Sequence, residues 1–199
     1  MNRSEQKKRA IINAAKTEFI ENGFAAANMN NVSAAAEVSK RTLYRHFESK
    51  ELLFEAVLSI VQEEIERKGD YPYHPDQPLE AQLAEITQRE IEVLYQNYGI
   101  AFSRTIVMEF FRQPELAKSV SQRLYRTRAV NGWFEKAIAD GRLKADEAQT
   151  ITSVYISLFQ GLMFWPQVLD LNEKPEGAEL VDKVDTIVST VIKAFSSNH

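Results

Sequence analysis

Cysteine is absent from this chain. That excludes disulfides and thiolate metal sites and suits a reducing compartment. Histidine is nearly absent too. His46, His74 and His199 are scattered, with no second histidine at metal-ligand spacing, so no bound metal is expected. The seven glycines stand apart from one another, which leaves neither a phosphate-cradling loop nor a nucleophile elbow. Carboxylate pairs such as Glu63–Glu64 and Asp146–Glu147 fall in helical surroundings, where a solvated surface accounts for them. No catalytic residue and no cofactor is therefore expected. Long apolar runs are missing as well. Stretches such as Leu162–Trp165 are far too short to cross a bilayer, and the polar start, Met1–Lys8, has no apolar signal-peptide core. The expectation is a cytoplasmic protein without a membrane partner.

What is present is a helical, unevenly charged chain. Its 199 residues are 44% apolar and 26% charged, ample for a buried core. The net charge of −4 argues at first against nucleic acid, but the average hides an asymmetry. Residues 1–50 hold nine Lys/Arg and five acids, a local charge of +4, so the remainder carries −8. A basic end on an acidic body is an electrostatic footprint for DNA at one end; an uneven solvated surface would give the same charge count.

Periodicity predicts helices almost throughout. Ile11, Ile12, Ala15 and Phe19 recur at helical spacing, and Gly23 ends that helix. Asn28 caps a short second helix to Ala36, Ser39 a third to about His46, and Ser49 a fourth reaching about Arg67. The fourth has the face Leu53, Ala56, Val57 and Ile60. Pro72, Pro75 and Pro78 then interrupt the chain. Beyond them, Leu79, Leu83, Ile86 and Leu94 mark one helix, and residues 100–111 another closed by Pro114. A long helix is expected over 115–140, ended by Gly141, and Asp146 with Gln149 forms a capping box for a helix to Trp165, before Pro166. Val181, Val184, Val188, Val191 and Phe195 give the last. The fold class is all-α, with residues 1–48 as a helix-turn-helix unit and 49–199 as a helical body.

The stretch 28–50 carries the function. Val32, Ala35 and Ala36 are small and apolar, Glu37-Val38-Ser39 make a tight turn, and Lys40–His46 form an outward helix. Leu43 and Phe47, four apart, pack inward and leave Lys40, Arg41, Thr42, Tyr44 and Arg45 outside, suited to phosphates and base edges. Taken singly, Tyr44 could fill the core, His46 could cap, and Lys40 and Arg41 could be a solvated face; together at this spacing they favour DNA.

The run from Val38 to Leu53, with Ile11, Ala14, Ala15, Phe19 and Gly23 before it, resembles the signature of the tetracycline-repressor (TetR) family over about residues 8–57. Residues 110–114 and 164–168 are similar to the C-terminal domain of a subgroup of these repressors. The resemblance implies that Tyr44, His46, Lys50 and the cap Asn28 touch phosphates, while Lys40, Arg41 and Thr42 face the major groove. One position departs from the family: Glu37 stands where it usually has Gly, and a positive φ there costs a non-glycine residue about 1–2 kcal/mol. The resemblance also implies a homodimer on a palindromic double-stranded DNA operator, and an effector cavity in the body. Ile151, Leu158 and Leu162, or Val184, Val188 and Val191, offer apolar stripes for the dimer. Tyr98, Phe102, Phe110, Trp133, Tyr155 and Phe159 are the candidate effector lining, with Arg104 and Gln160 as polar groups. Taken singly, aromatics at this spacing are more often ordinary core. The aromatic content points to an apolar or aromatic small molecule. The rival reading is a helical ligand- or partner-binding protein whose DNA function is lost.

Overall fold

The computed structural model describes residues 2–68, 71–115, 117–118, 129–169 and 173–197, and at 62–68, 96–98 and 129 the backbone alone. Helices run in the order α1 (Arg3–Ala26), α2 (Met29–Ala35), α3 (Lys40–His46), α4 (Lys50–Lys68), α5 (Leu79–Glu92), α6 (Gly99–Arg112), α7 (Ala129–Ala139), α8 (Ala148–Phe159), α9 (Trp165–Val168) and α10 (Gly177–Phe195). Two π-helical segments interrupt them, π1 (Val93–Tyr98) and π2 (Gln160–Phe164). No strand occurs among the described residues, only an isolated antiparallel bridge between Leu143 and Ser196. The chain divides into two compact units, Met1–Glu64 with Ala101–Gln122, and Ile65–Ile100 with Arg123–His199.

In the first unit the expected stripe Ile11, Ile12, Ala15 and Phe19 is buried, with Val32, Leu43 and Phe47 from α2, α3 and the residue after it. Phe19, Phe24 and Phe54 form an aromatic cluster with centroid separations of 5.7, 5.2 and 5.0 Å. Gly23 has φ 70°, the left-handed conformation that breaks α1 where the sequence placed its end. On α4 the buried face is Leu53, Phe54, Val57, Leu58 and Val61. Ala56 and Ile60, expected on it, are only half-buried, because the face is rotated toward Phe54 and its ring contacts.

In the second unit α10 packs on α5 and α8, and α7 on α8. The core contains Leu83, Trp133, Phe134, Ile151, Tyr155, Met163, Ile187 and Val191. A buried amide organises one side of it. Gln82 Nε2 donates to the carbonyls of His74 (2.9 Å) and Gln77 (3.0 Å), while Oε1 accepts from His74 N (2.9 Å) and Trp133 Nε1 (3.2 Å). Every hydrogen-bonding position of that amide is used, and the proline-bearing segment 72–78 is tied to α5. Tyr95 in π1 donates from its hydroxyl to the Met163 carbonyl in π2 at 2.9 Å. Neither π segment was legible in the sequence, where both stretches read as continuous helix.

Several expectations are corrected. The Asp146–Gln149 capping box is absent: the N-cap is Glu147, and no side chain caps α8. Pro166 does not stop the chain, because it lies in the first turn of α9, where a missing N–H is harmless. Val181 is 54% exposed, whereas Val184, Val188 and Val191 are buried, so the apolar face of α10 begins one turn later. Of the expected helix over 115–140, α7 and its end at Gly141 (φ 71°) are observed, while 119–128 lie outside the described residues.

Candidate nucleic-acid interface

The site is built from two short helices, α2 and α3, with their side-chain caps, set against the longer α1. Asn28 Oδ1 accepts from Asn30 N at 2.9 Å, and Ser39 Oγ accepts from Thr42 N at 3.2 Å, so both expected caps are in place. Ser39 Oγ also lies 2.9 Å from Thr42 Oγ1, which fixes the threonine hydroxyl at the start of α3. Between the helices Glu37 has φ 53° and is the non-glycine residue held at positive φ among the described residues. The turn thus keeps the left-handed geometry that glycine would occupy without strain, and an exposed carboxylate comes with it.

On α3, Leu43 and Phe47 point into the core and are 0% and 5% exposed. Lys40, Arg41, Tyr44 and Arg45 are exposed, Thr42 and His46 half-buried, so the four-residue spacing sorts the two faces as expected. Tyr44, 47% exposed, does not fill the core.

His46 Nε2 is buried and has no hydrogen-bond partner. Burial first, then the positive charges of Arg45, Lys8 and Lys7, hold its imidazole below the ordinary value of 6.5. Lys8 Nζ in turn stands 6.0 Å above the ring of Phe47. The N-terminal lysines of α1 thus share one electropositive neighbourhood with the end of α3.

Lys50 occupies an unexpected position. Its ammonium donates to the carbonyls of Ala25 (3.0 Å) and Ala27 (3.3 Å) and lies 4.8 Å above the ring of Phe24. Two of its three N–H groups are thereby committed to the connection between α1 and α2. Opposite it, Glu18 on α1 is 7% exposed, and its Oε1 accepts from Asn28 N (2.8 Å) and Asn31 Nδ2 (3.2 Å). Sequence reasoning missed Glu18. The available signal was its place on the apolar stripe of α1, three residues after Ala15 and seven after Ile11, where a carboxylate is costly unless hydrogen-bonded.

The comparisons with known proteins agree with this geometry. Residues 11–57 match the model described as bacterial regulatory proteins, tetR family, and residues 81–197 match the C-terminal domain of AefR-like transcriptional repressors. The chain belongs to the TetR family. It is a DNA-binding transcriptional regulator. Among its relatives is the uncharacterized HTH-type transcriptional regulator YhgD of Bacillus subtilis, 24% identical over 203 residues, covering 98% of this chain and 100% of the relative. A TetR family transcriptional regulator from Pseudomonas syringae pv. tomato is 27% identical, with a TM-score of 0.78 over 96% of this chain and 98% of that one. The flavonoid-responsive regulator FrrA is also 27% identical, with a TM-score of 0.73 over 98% and 100%.

The expected effector residues are divided between the units. Trp133, Tyr155 and Phe159 lie in the core of the second, joined through Phe134 by ring separations of 5.3, 6.0 and 6.2 Å. Gln160 opens π2. Phe102, fully buried, belongs to the first unit with the half-buried Phe110 and Arg104. The side chain of Tyr98 and the residue His199 lie outside the described set. Of the apolar stripes expected at a dimer contact, Ile151, Val184, Val188 and Val191 are buried in the chain's own core, with Leu158 and Leu162 half-buried against it. No helix among the described residues is long and apolar enough to cross a membrane.

Proposed function

We propose that two copies of this chain bind a palindromic operator as a homodimer, each laying α3 in the major groove, and that a small apolar or aromatic effector releases them as it would a repressor. The observation that carries the reading is the sorting of α3: Leu43 is buried while Lys40, Arg41, Tyr44 and Arg45 are exposed on one cationic face. Arg41 and Thr42, with Lys40, are the base-reading candidates. Asn28, Ser39, Tyr44, Arg45, His46 and the third N–H of Lys50 serve phosphates. One recognition helix reads too few base pairs to find a site among genomic competitors, and two-fold symmetry doubles them. Trp165 (38% exposed), Leu169 (59%) and Val181 (54%) remain on the surface of the second unit as apolar material for the contact between copies.

Residues 1–48 act as the reading head in this account, and the helical body beyond them holds the effector. The π segments support an effector site in the second unit, since such irregularities recur at functional sites. The flavonoid response in FrrA's name supports an aromatic one. The protein works in the cytoplasm, beside the chromosome. Selection of duplexes from a random pool with the purified protein tests the reading. It should return an inverted repeat with half-sites about one helical turn apart; recovery of no enriched sequence would overturn it.

A further inference from the structure

The peptide group joining Ala27 to Asn28 is held at both ends by charge. Its carbonyl accepts from Lys50 Nζ at 3.3 Å, and its N–H donates to Glu18 Oε1 at 2.8 Å. Lys50 also grips the Ala25 carbonyl, and Glu18 the side chain of Asn31. One ammonium and one carboxylate thus hold the middle of a two-residue connection whose outer groups have backbone partners: Ala27 N donates to Gly23 O at 3.1 Å, and Asn28 O accepts from Val32 N at 3.2 Å. Hydrogen bonds to ionised groups are about twice as strong as neutral ones. Such a bond is shielded from competing water here, because Glu18 is 7% exposed. Asn28 itself is exposed and keeps its amide outside the core, in the position from which it caps α2.

We propose that Glu18 is a positioning residue for DNA binding. With Lys50 it sets the Ala27–Asn28 peptide so that the side chain of Asn28 meets a DNA phosphate. This rests on the reading that the α2 cap faces the DNA backbone. The two ions divide the work: Glu18 orients the amide of the connection, and Lys50 orients its carbonyls while adding positive charge at the same edge. A leucine in place of Glu18 would satisfy the apolar stripe of α1 and would leave the Asn28 N–H without its acceptor. Fold and reading geometry therefore make opposite demands at position 18.

The test is operator binding by fluorescence anisotropy, well below the melting temperature of each folded variant. Glu18→Leu should weaken operator and random duplex alike by roughly 5- to 10-fold, the scale of one lost phosphate hydrogen bond. The slope of log affinity against log salt should stay unchanged, since no cation is removed. Glu18→Gln, which keeps an acceptor, should remain within about 3-fold of wild type while the Asn28 amide proton moves upfield. In the cycle with Asn28→Ala, the double variant should lose no more than Asn28→Ala alone. Wild-type affinity for a folded Glu18→Leu, additivity in the cycle, or a Glu18→Gln deficit equal to that of Glu18→Leu would each overturn the proposal. Should Glu18→Leu fail to fold, an unmoved Asn28 amide signal in Glu18→Gln overturns it. Wild-type affinity for Asn28→Ala itself would instead sink the underlying reading of the α2 cap.

Discussion

The hydroxyl of Thr105 on α6 lies 3.2 Å from the Phe19 carbonyl on α1, a contact across 86 residues of sequence within the first unit. The same oxygen is 3.2 Å from the Ala101 carbonyl on its own helix, so one proton is shared between the two acceptors. Phe19 anchors the aromatic cluster of the first unit, and the middle of α6 is thereby fastened to α1. Thr105→Val keeps the shape and deletes the donor. It should lower stability by about 1 kcal/mol, or roughly 2–4 °C in melting temperature. A melting temperature unchanged or raised would show that the bond contributes nothing.

Glu37→Gly removes the strained turn residue. Relief of the left-handed backbone is worth about 1–2 kcal/mol, and the greater freedom of glycine in the unfolded chain returns roughly 0.5–1 of it. The variant should therefore melt slightly higher. Operator affinity should also rise, more at low salt than at high, because a carboxylate has left the DNA face. A lower melting temperature would contradict the account.

His46 should make operator binding pH-dependent. Its folded imidazole is held below 6.5 by burial and by Arg45, Lys8 and Lys7. The unfolded chain therefore binds its proton first, so this group's contribution to stability is present above 6.5 and is lost as pH falls through the folded value. DNA acts in the opposite direction, because a nearby phosphate favours the imidazolium. Operator affinity should rise as pH drops from about 8 to 6, and His46→Gln should flatten that rise. Equal pH slopes in the two proteins would remove His46 from the interface.

Gln82→Ala takes the acceptor from the His74 N–H and from Trp133 Nε1, while the His74 carbonyl keeps Gln77 N and the Gln77 carbonyl keeps Arg142 Nη1. The cost should be about 2–4 kcal/mol, measured by urea unfolding. A loss below about 0.5 kcal/mol would mean that the segment 72–78 is not held by this amide.

The reading head was legible because its chemistry is local. Caps at Asn28 and Ser39 and the inward pair Leu43 and Phe47 follow from neighbours in the sequence, whereas the special turn at Glu37 was legible only through the family resemblance. The body was less so, because helical spacing fixes a face but not its partner. Val184 and Val191 could have met a second copy or their own chain, and the choice fell to packing against α5 and α8. The π segments and the Tyr95–Met163 bond depend on long-range contacts that no local pattern records. Glu18 was legible only as an anomaly on an apolar stripe, and the meaning of Lys50 changed once its two carbonyl partners were seen.

The central claim is that the exposed face of α3 reads DNA. It is tested most directly by titrating a selected operator and a random duplex with wild type, Tyr44→Ala and Arg41→Ala over a range of salt. Tyr44→Ala should weaken both duplexes by the same factor, whereas Arg41→Ala should lose about 1–3 kcal/mol on the operator and little of its base-independent binding beyond one cation's share. Unchanged operator affinity in a correctly folded Arg41→Ala, Tyr44→Ala double variant would contradict the account.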